Sequence, residues 1–162
     1  MDLAVLGDIE AGLFRAYDIR GPAGAGALTP DLAYRIGRAV GSEARQLEQT
    51  DIIVGRDGRL SSPTLATALI AGLRDSGLNV LFIGMVPTPL LYFATNRLSA
   101  CSGVMVTASH NPADHNGFKI VLRGKTLTTE DIQALKQRIV SQRFVQGAGD
   151  YQEIDITDDY MD

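Results

Sequence analysis

Several absences narrow the kind of protein that this sequence encodes. The 162 residues include one cysteine, Cys101, so no disulfide bond forms within the chain, which fits a reducing cytoplasm. There is no long uninterrupted apolar run, so we expect no membrane span. The net charge is -4, whereas nucleic-acid-binding proteins usually carry a basic excess. The first eight residues lack the basic start of a signal peptide. We therefore expect a cytoplasmic protein that binds neither nucleic acid nor a membrane.

The composition is that of an ordinary globular domain. Hydrophobic residues make up 45% of the chain and charged residues 21%. The length favours one domain, or one domain with a tail, and is sufficient for a core without disulfides. We find neither an internal repeat nor a low-complexity stretch.

Strand and helix patterns alternate along the chain. Buried strands are predicted at 52–54, 80–83, 103–106 and 118–122, and helices at 31–47, 61–75, 87–96 and 128–141. The loop containing Asn116 and Gly117 is too short for a crossover helix, so the last strand should be antiparallel to the one before it. The pattern predicts a three-layer α/β/α fold around a mixed, mainly parallel four-stranded sheet.

Three loops should meet where the parallel strands end, since ligands of such sheets lie beyond the carboxyl ends of the strands. They are residues 55–63, residues 84–89 and the loop that contains Ser109. Backbone N–H groups at such ends bind anions, although ordinary turn chemistry is the more economical reading of the first two loops. On that reading, Arg56, Asp57 and Arg59 form a structural ion-pair cluster that braces the site.

Ser109 is the most informative candidate for chemistry. It lies in the run Thr107–Pro112, directly after the predicted strand 103–106, on a turn that the proline stiffens. A serine hydrolase of the G-x-S-x-G type would need glycines that this run lacks. His110 is the immediate neighbour, so its ring need not reach the serine hydroxyl. A serine that carries phosphate fits better, because phosphoryl transfer depends mainly on positioning and charge stabilisation.

The motifs together resemble the α-D-phosphohexomutase family. Any one of these short runs is weak evidence, but their joint occurrence in this order is specific. The runs are Phe14–Gly21 (FRAYDIRG), Gly55–Arg59 (GRDGR), Val86–Pro89 (VPTP), Gly103–Pro112 (GVMVTASHNP) and Asn116–Lys119 (NGFK).

The resemblance implies a role for each of five residues. Ser109 would be the phosphoserine, and His110 would transfer a proton or orient the reacting group. Lys119 would place a positive charge near the phosphoryl group or a sugar hydroxyl, and Arg20 would hold the phosphate or shift sugar protons. Tyr17, together with Arg20, would bind the sugar. Without the resemblance, a core aromatic at Tyr17 and a solvent-facing lysine at Lys119 would be the simpler readings.

The resemblance also implies a reaction and its partners. Hexose 1-phosphate and hexose 6-phosphate, of mannose or glucose, would interconvert through phospho-Ser109 and a hexose 1,6-bisphosphate. Mg²⁺ would bind through the Ser109 phosphate, with its other ligands in a further domain. Phosphorylated hexoses and the remaining domains of the same polypeptide are then the expected partners, in a monomeric complete enzyme.

The implied domain division treats this chain as the first part of a longer enzyme. Residues 1–10 would be a disordered N-terminus, 11–150 the domain with the active serine, and 151–162 the start of a linker. The segment alone would be inactive.

Other readings stay open. The chain could be a stand-alone phosphosugar-binding module in which Ser109 binds an anion without transferring it. It could also be an inert fragment that retains the motif. A serine hydrolase is a distant third.

Overall fold

The computed structural model describes residues 12–24, 27–98 and 100–156, and these ranges contain seven strands and four helices. The predicted disordered segment, residues 1–10, lies outside them. The strands are β1 (Ile19–Pro22), β2 (Asp51–Arg56), β3 (Asn79–Met85), β4 (Gly103–Val106), β5 (His115–Leu122), β6 (Lys125–Thr126) and β7 (Tyr151–Glu153). The helices are α1 (Pro30–Gln46), α2 (Ser62–Asp75), α3 (Thr88–Arg97) and α4 (Thr129–Ser141).

The strands form one mixed sheet with the order β1-β5-β4-β2-β3-β7, and β6 pairs with β5. Strands β2, β3, β4 and β7 pair in parallel, whereas β5 is antiparallel to β4, as the short loop before it predicts. The predicted count of four strands was wrong, because β1, β6 and β7 were missed. Each of these three has at most four residues, too few for an alternating apolar pattern to be recognised.

Helices cover both faces of the sheet, so the predicted α/β/α architecture is confirmed. Neighbouring residues of a strand point to opposite faces. In β2, Ile52 and Val54 belong to the apolar cluster under α1, α2 and α4, whereas Ile53 belongs to the cluster under α3. Both clusters consist of side chains that are almost entirely buried, and each helix therefore contributes to the core on its own side.

Local capping sets where two of the helices begin. The Thr29 hydroxyl accepts a hydrogen bond from Leu32 N–H (3.1 Å), with Pro30 at the first helical position. Thr128 and Asp131 form a reciprocal capping box at the start of α4. Ser61, which resembles a cap in the sequence, makes no side-chain capping bond.

The C-terminal end of the described chain extends the sheet. Residues 151–153, assigned above to a linker, form β7 and pair in parallel with β3. Residues 157–162 lie outside the described ranges, and the proposed domain boundary stays a prediction. None of the helices in the described part of the chain is long and apolar enough to cross a bilayer.

Candidate active site

The three predicted loops do meet at one edge of the sheet. Arg56, the last residue of β2, is in register with Val106 of β4 on one side and Met85 of β3 on the other. The loops are joined by backbone hydrogen bonds, from Asp57 N–H to the Val106 carbonyl (3.0 Å) and from Val86 N–H to the Arg56 carbonyl (2.9 Å). The loops that follow the three parallel strands therefore lie next to one another, as expected.

Ser109 lies on the surface of this edge, two residues beyond buried Thr107. Its backbone has a φ of +56°, in the left-handed region that non-glycine residues seldom adopt. Such a conformation costs about 1–3 kcal/mol and persists only where the surroundings fix it. The exposed position is what a phosphate-carrying serine requires.

The two predicted cations lie on neighbouring strands at the β1 side of the sheet. Arg20 of β1 is in register with Gly117 of β5, and Lys119 lies two residues further along β5. Asp18 is 3.6 Å from both Arg20 Nε and Lys119 Nζ, and its side chain is only 16% exposed. Asp18 was not expected as the partner of either cation, although all three residues lie within the quoted motifs.

Tyr17 and His110 both have exposed side chains. Tyr17 is 69% exposed, so it is not the core aromatic of the simpler reading. Among the described residues, the hydrogen bonds and ion pairs join Arg20 to Lys119 through Asp18, but none joins Ser109 to either cation. The catalytic assignments of these residues therefore stay predictions.

Arg59 is the residue whose importance the sequence did not reveal. Its guanidinium donates to the carbonyls of Ser109 (2.8 Å), Asn111 (3.0 Å), Pro112 (2.6 Å) and His115 (3.2 Å). The predicted structural ion pair with Asp57 is present, with Arg59 Nε 3.1 Å from Asp57 Oδ2. The position of Arg59 in the GRDGR run indicated that it would stabilise the site. It did not indicate which loop the guanidinium would bind.

Arg56 has a different role from the one expected. Instead of forming an ion pair in this cluster, its guanidinium donates to the carbonyl oxygen of Asp57 (3.0 Å).

Buried Asn116 ties the start of α2 to β5. Its side-chain amide donates to the hydroxyls of Ser61 (2.8 Å) and Ser62 (2.9 Å), and its Oδ1 accepts from Gly117 N–H (2.9 Å). Ser61 has helical backbone angles (φ -81°, ψ -15°) rather than the extended ones of a capping residue, and its hydroxyl oxygen accepts from Asn116.

Asp57 is held as a carboxylate by its neighbours. Burial raises the pKa of Asp57, but hydrogen bonds from the hydroxyls of Ser62 and Thr107 and from Arg59 N–H outweigh it. The positive charge of Arg59 adds to the effect, and the pKa of Asp57 lies below its ordinary value.

This lowered pKa predicts acid-sensitive stability. A depressed pKa in the folded state stabilises the fold above the unfolded-state pKa of about 4, and the stabilisation is lost as the pH falls through the lowered value. We expect Asp57→Asn to lower the melting temperature at pH 7. The difference from the wild type should narrow as the pH falls below about 4. Melting curves from pH 7 down to acid check this, and a difference independent of pH would contradict it.

The described residues do not make a complete Mg²⁺ site. They contain no cluster of three or more His, Cys, Asp or Glu side chains that could hold a metal ion. The carboxylate of Asp57 is already engaged by Arg59 and Ser62. A hard cation needs several oxygen ligands, so the donor set here does not suffice.

One concave surface of the described chain lies between α1, β6 and α4. This cavity of about 390 Å³ is bordered by Leu47 of the α1 end, Lys125 of β6 and Leu135 of α4. None of the predicted site residues lines it.

Comparisons with known proteins point to one family. Residues 11–146 match the model of the family described as phosphoglucomutase/phosphomannomutase, alpha/beta/alpha domain I. The chain is 51% identical over 161 residues to a phosphomannomutase/phosphoglucomutase of Pseudomonas aeruginosa, covering 99% of this chain and 35% of the relative. It is 47% identical over 157 residues to a phosphoglucomutase of Neisseria meningitidis serogroup A, covering 96% of this chain and 34% of the relative.

A solved structure shows the same fold. A phosphoglucomutase/phosphomannomutase family protein from Burkholderia thailandensis superposes with a TM-score of 0.87 at 47% sequence identity. The match covers 92% of this chain and 34% of that protein. The chain thus spans about a third of the length of the relatives it matches.

Proposed function

Because the chain belongs to the phosphoglucomutase/phosphomannomutase family, through its α/β/α domain I, we propose that it is the serine-bearing part of a phosphohexomutase. The complete protein would interconvert hexose 1-phosphate and hexose 6-phosphate of mannose or glucose, with Ser109 carrying the phosphate. The observation that supports this most is an exposed serine held in a left-handed conformation at the edge where three strand-end loops meet.

The proposed transfer is an in-line exchange at phosphorus. A hydroxyl oxygen of the bound hexose phosphate attacks the phosphorus of phospho-Ser109, and the bond between phosphorus and Ser109 Oγ breaks. The hexose hydroxyl loses its proton and Oγ gains one. We assign this proton transfer to His110, the neighbour of Ser109 in the sequence. The resulting 1,6-bisphosphate reorients, and its other phosphate returns to Oγ by the reverse step.

Two cations would stabilise the charge of this reaction. A phosphoserine carries a charge of about -1.5 to -2 at neutral pH. Lys119 lies on β5, the strand next to β4, and Arg20 lies on β1, the strand beyond β5. Both cations share Asp18, so their charge is oriented before the phosphate arrives. Tyr17, exposed beside this group, would contact the sugar.

The metal requires residues outside the described ranges. A Ser109 phosphate oxygen would be one ligand of Mg²⁺, and we propose that the others belong to a part of the protein beyond this segment. For the same reason, we expect the 162-residue chain alone to show negligible mutase activity. A monomeric, cytoplasmic complete enzyme remains our expectation.

Phosphate labelling tests the proposal. We expect the complete protein, incubated with hexose 1,6-bisphosphate labelled on its phosphates, to acquire one labelled phosphate per chain. Peptide mass spectrometry should locate it on Ser109, and chasing with unlabelled hexose 1-phosphate should release it as sugar phosphate. Label on another residue, or none at all, would overturn the assignment.

The same experiment separates the binding-module alternative. A module that only binds phosphosugars would retain hexose bisphosphate in equilibrium dialysis, yet its mass would stay unchanged. That pair of results would replace our proposal with the alternative, whereas covalent label with turnover excludes it.

A further inference from the structure

We infer that Arg59 is a positioning residue for Ser109, an inference that rests on the proposed function. It acts through the backbone of the serine loop, residues 107–115, and fixes the direction of the Ser109 Cα–Cβ bond that carries the hydroxyl. Two observations support it: every N–H donor of the guanidinium makes a hydrogen bond, and most of the acceptors belong to the serine loop.

All the donors of Arg59 are used by this one cluster. A guanidinium has five N–H donors in a rigid planar fork. Here Nε donates to Asp57, Nη1 donates to the carbonyls of Pro112 and His115, and Nη2 donates to those of Ser109 and Asn111. Four of the five acceptors are therefore main-chain oxygens of the serine loop, and the Arg59 side chain is only 14% exposed.

The peptide groups on both sides of the Ser109 Cα are fixed as a result. Ser109 N–H donates to Thr107 Oγ1 (3.0 Å), and the Ser109 carbonyl accepts from Arg59 Nη2 (2.8 Å). Thr107 also bonds to Asp57, the ion-pair partner of Arg59. The rare φ of +56° at Ser109 is thus enforced from each side by the same charged pair.

This backbone limits where the hydroxyl can lie. It fixes the direction of the Ser109 Cα–Cβ bond, so only rotation about that bond is left to place Oγ. The hydrogen bonds that hold the loop at Ser109 involve its main chain and not its hydroxyl. Phosphoryl transfer depends on in-line alignment, and a displacement of about 1 Å at a reacting atom lowers a rate by about 10²-fold. Arg59 holds the loop through its carbonyls without being one of the predicted phosphate ligands.

The test uses Arg59→Lys and Arg59→Ala in the complete protein. Lysine keeps the charge, but has three donors and no planar fork, so it cannot hold four carbonyls at once. We expect kcat to fall by about 10²-fold in Arg59→Lys and further in Arg59→Ala. KM for hexose 1-phosphate should stay within about threefold of the wild-type value, because Arg59 would position the serine without contacting the substrate.

A chemical rescue distinguishes positioning from general structure. Added guanidinium ion should raise the kcat of Arg59→Ala by about tenfold at a concentration that leaves the wild type unchanged. Arg97→Ala is the matched control, since Arg97 is exposed in the last turn of α3, at the other end of that helix from the site. We expect neither a loss nor a rescue in that variant.

The outcomes separate the two claims. Wild-type kcat in Arg59→Lys, or an effect confined to KM, would overturn the positioning role while Ser109 labelling of the wild type still supports the function. An unlabelled wild type would refute the function instead. If Arg59→Ala does not fold, Arg59→Lys decides the question by the same criteria, with its folding checked by near-UV circular dichroism.

Discussion

Replacing Ser109 by alanine in the complete protein should abolish the mutase reaction while leaving the fold intact. The hydroxyl is exposed and takes part in none of the hydrogen bonds that hold its loop, so its removal costs little stability. Without Oγ no phosphate can be carried between two sugar positions. We expect kcat for hexose 1-phosphate to fall by at least about 10⁴-fold, as is typical for loss of a covalent nucleophile.

A coupled assay of hexose 6-phosphate formation measures this loss, and calorimetry of hexose phosphate binding shows whether the site survives. Ser141→Ala is the matched control, because this serine is exposed on α4 and its hydroxyl bonds only within its own helix. A Ser109→Ala protein that keeps most of its turnover would remove Ser109 from the reaction.

The fold was predictable where its elements are long and periodic. The helix α1 and the strand β4 were found from apolar spacing, and the antiparallel β5 from the length of the loop before it. The strand β1 was not found, because its four residues include Gly21 and Pro22 and the partner strand lies almost a hundred positions further along the chain. Its pairing is a property of the folded sheet and not of its own sequence.

The meeting of the loops at the candidate site was predictable, but the contacts within it were not. Sequence order and the rule for parallel sheets brought the loop of Ser109 and the loop of Asp57 to one edge. That Arg59 would reach four carbonyls of the serine loop could not be inferred, since backbone acceptors have no signature in a sequence. The sequence likewise did not indicate that Asp18 is shared by two cations, because this contact depends on the register of β1 against β5.

Where α1 crosses α2, the two helices approach so closely that two glycines face each other. A Cβ atom on Gly72 would lie 2.8 Å from Arg38 N and 3.0 Å from Gly37 Cα, and would also overlap the Tyr34 carbonyl. All three are main-chain atoms of α1, which cannot move without displacing the helix. Gly37 is confined in the same way by the backbone of α2.

Gly72→Ala should therefore destabilise this chain, although alanine favours a helix over glycine by about 1 kcal/mol. Forcing two packed helices apart costs about 1–3 kcal/mol or more, and loosens the apolar residues beneath them. We expect a net loss of about 2 kcal/mol, which corresponds to a fall of about 4–8 °C in melting temperature for a domain of this size.

Gly58→Ala is the control, because a Cβ there would meet only the flexible Met85 side chain, with its sulfur 3.3 Å away. Thermal unfolding of the three proteins followed by circular dichroism measures the difference. A melting temperature that rises in Gly72→Ala would mean that helix propensity outweighs the close approach, and that the glycine pair does not set the spacing of α1 and α2.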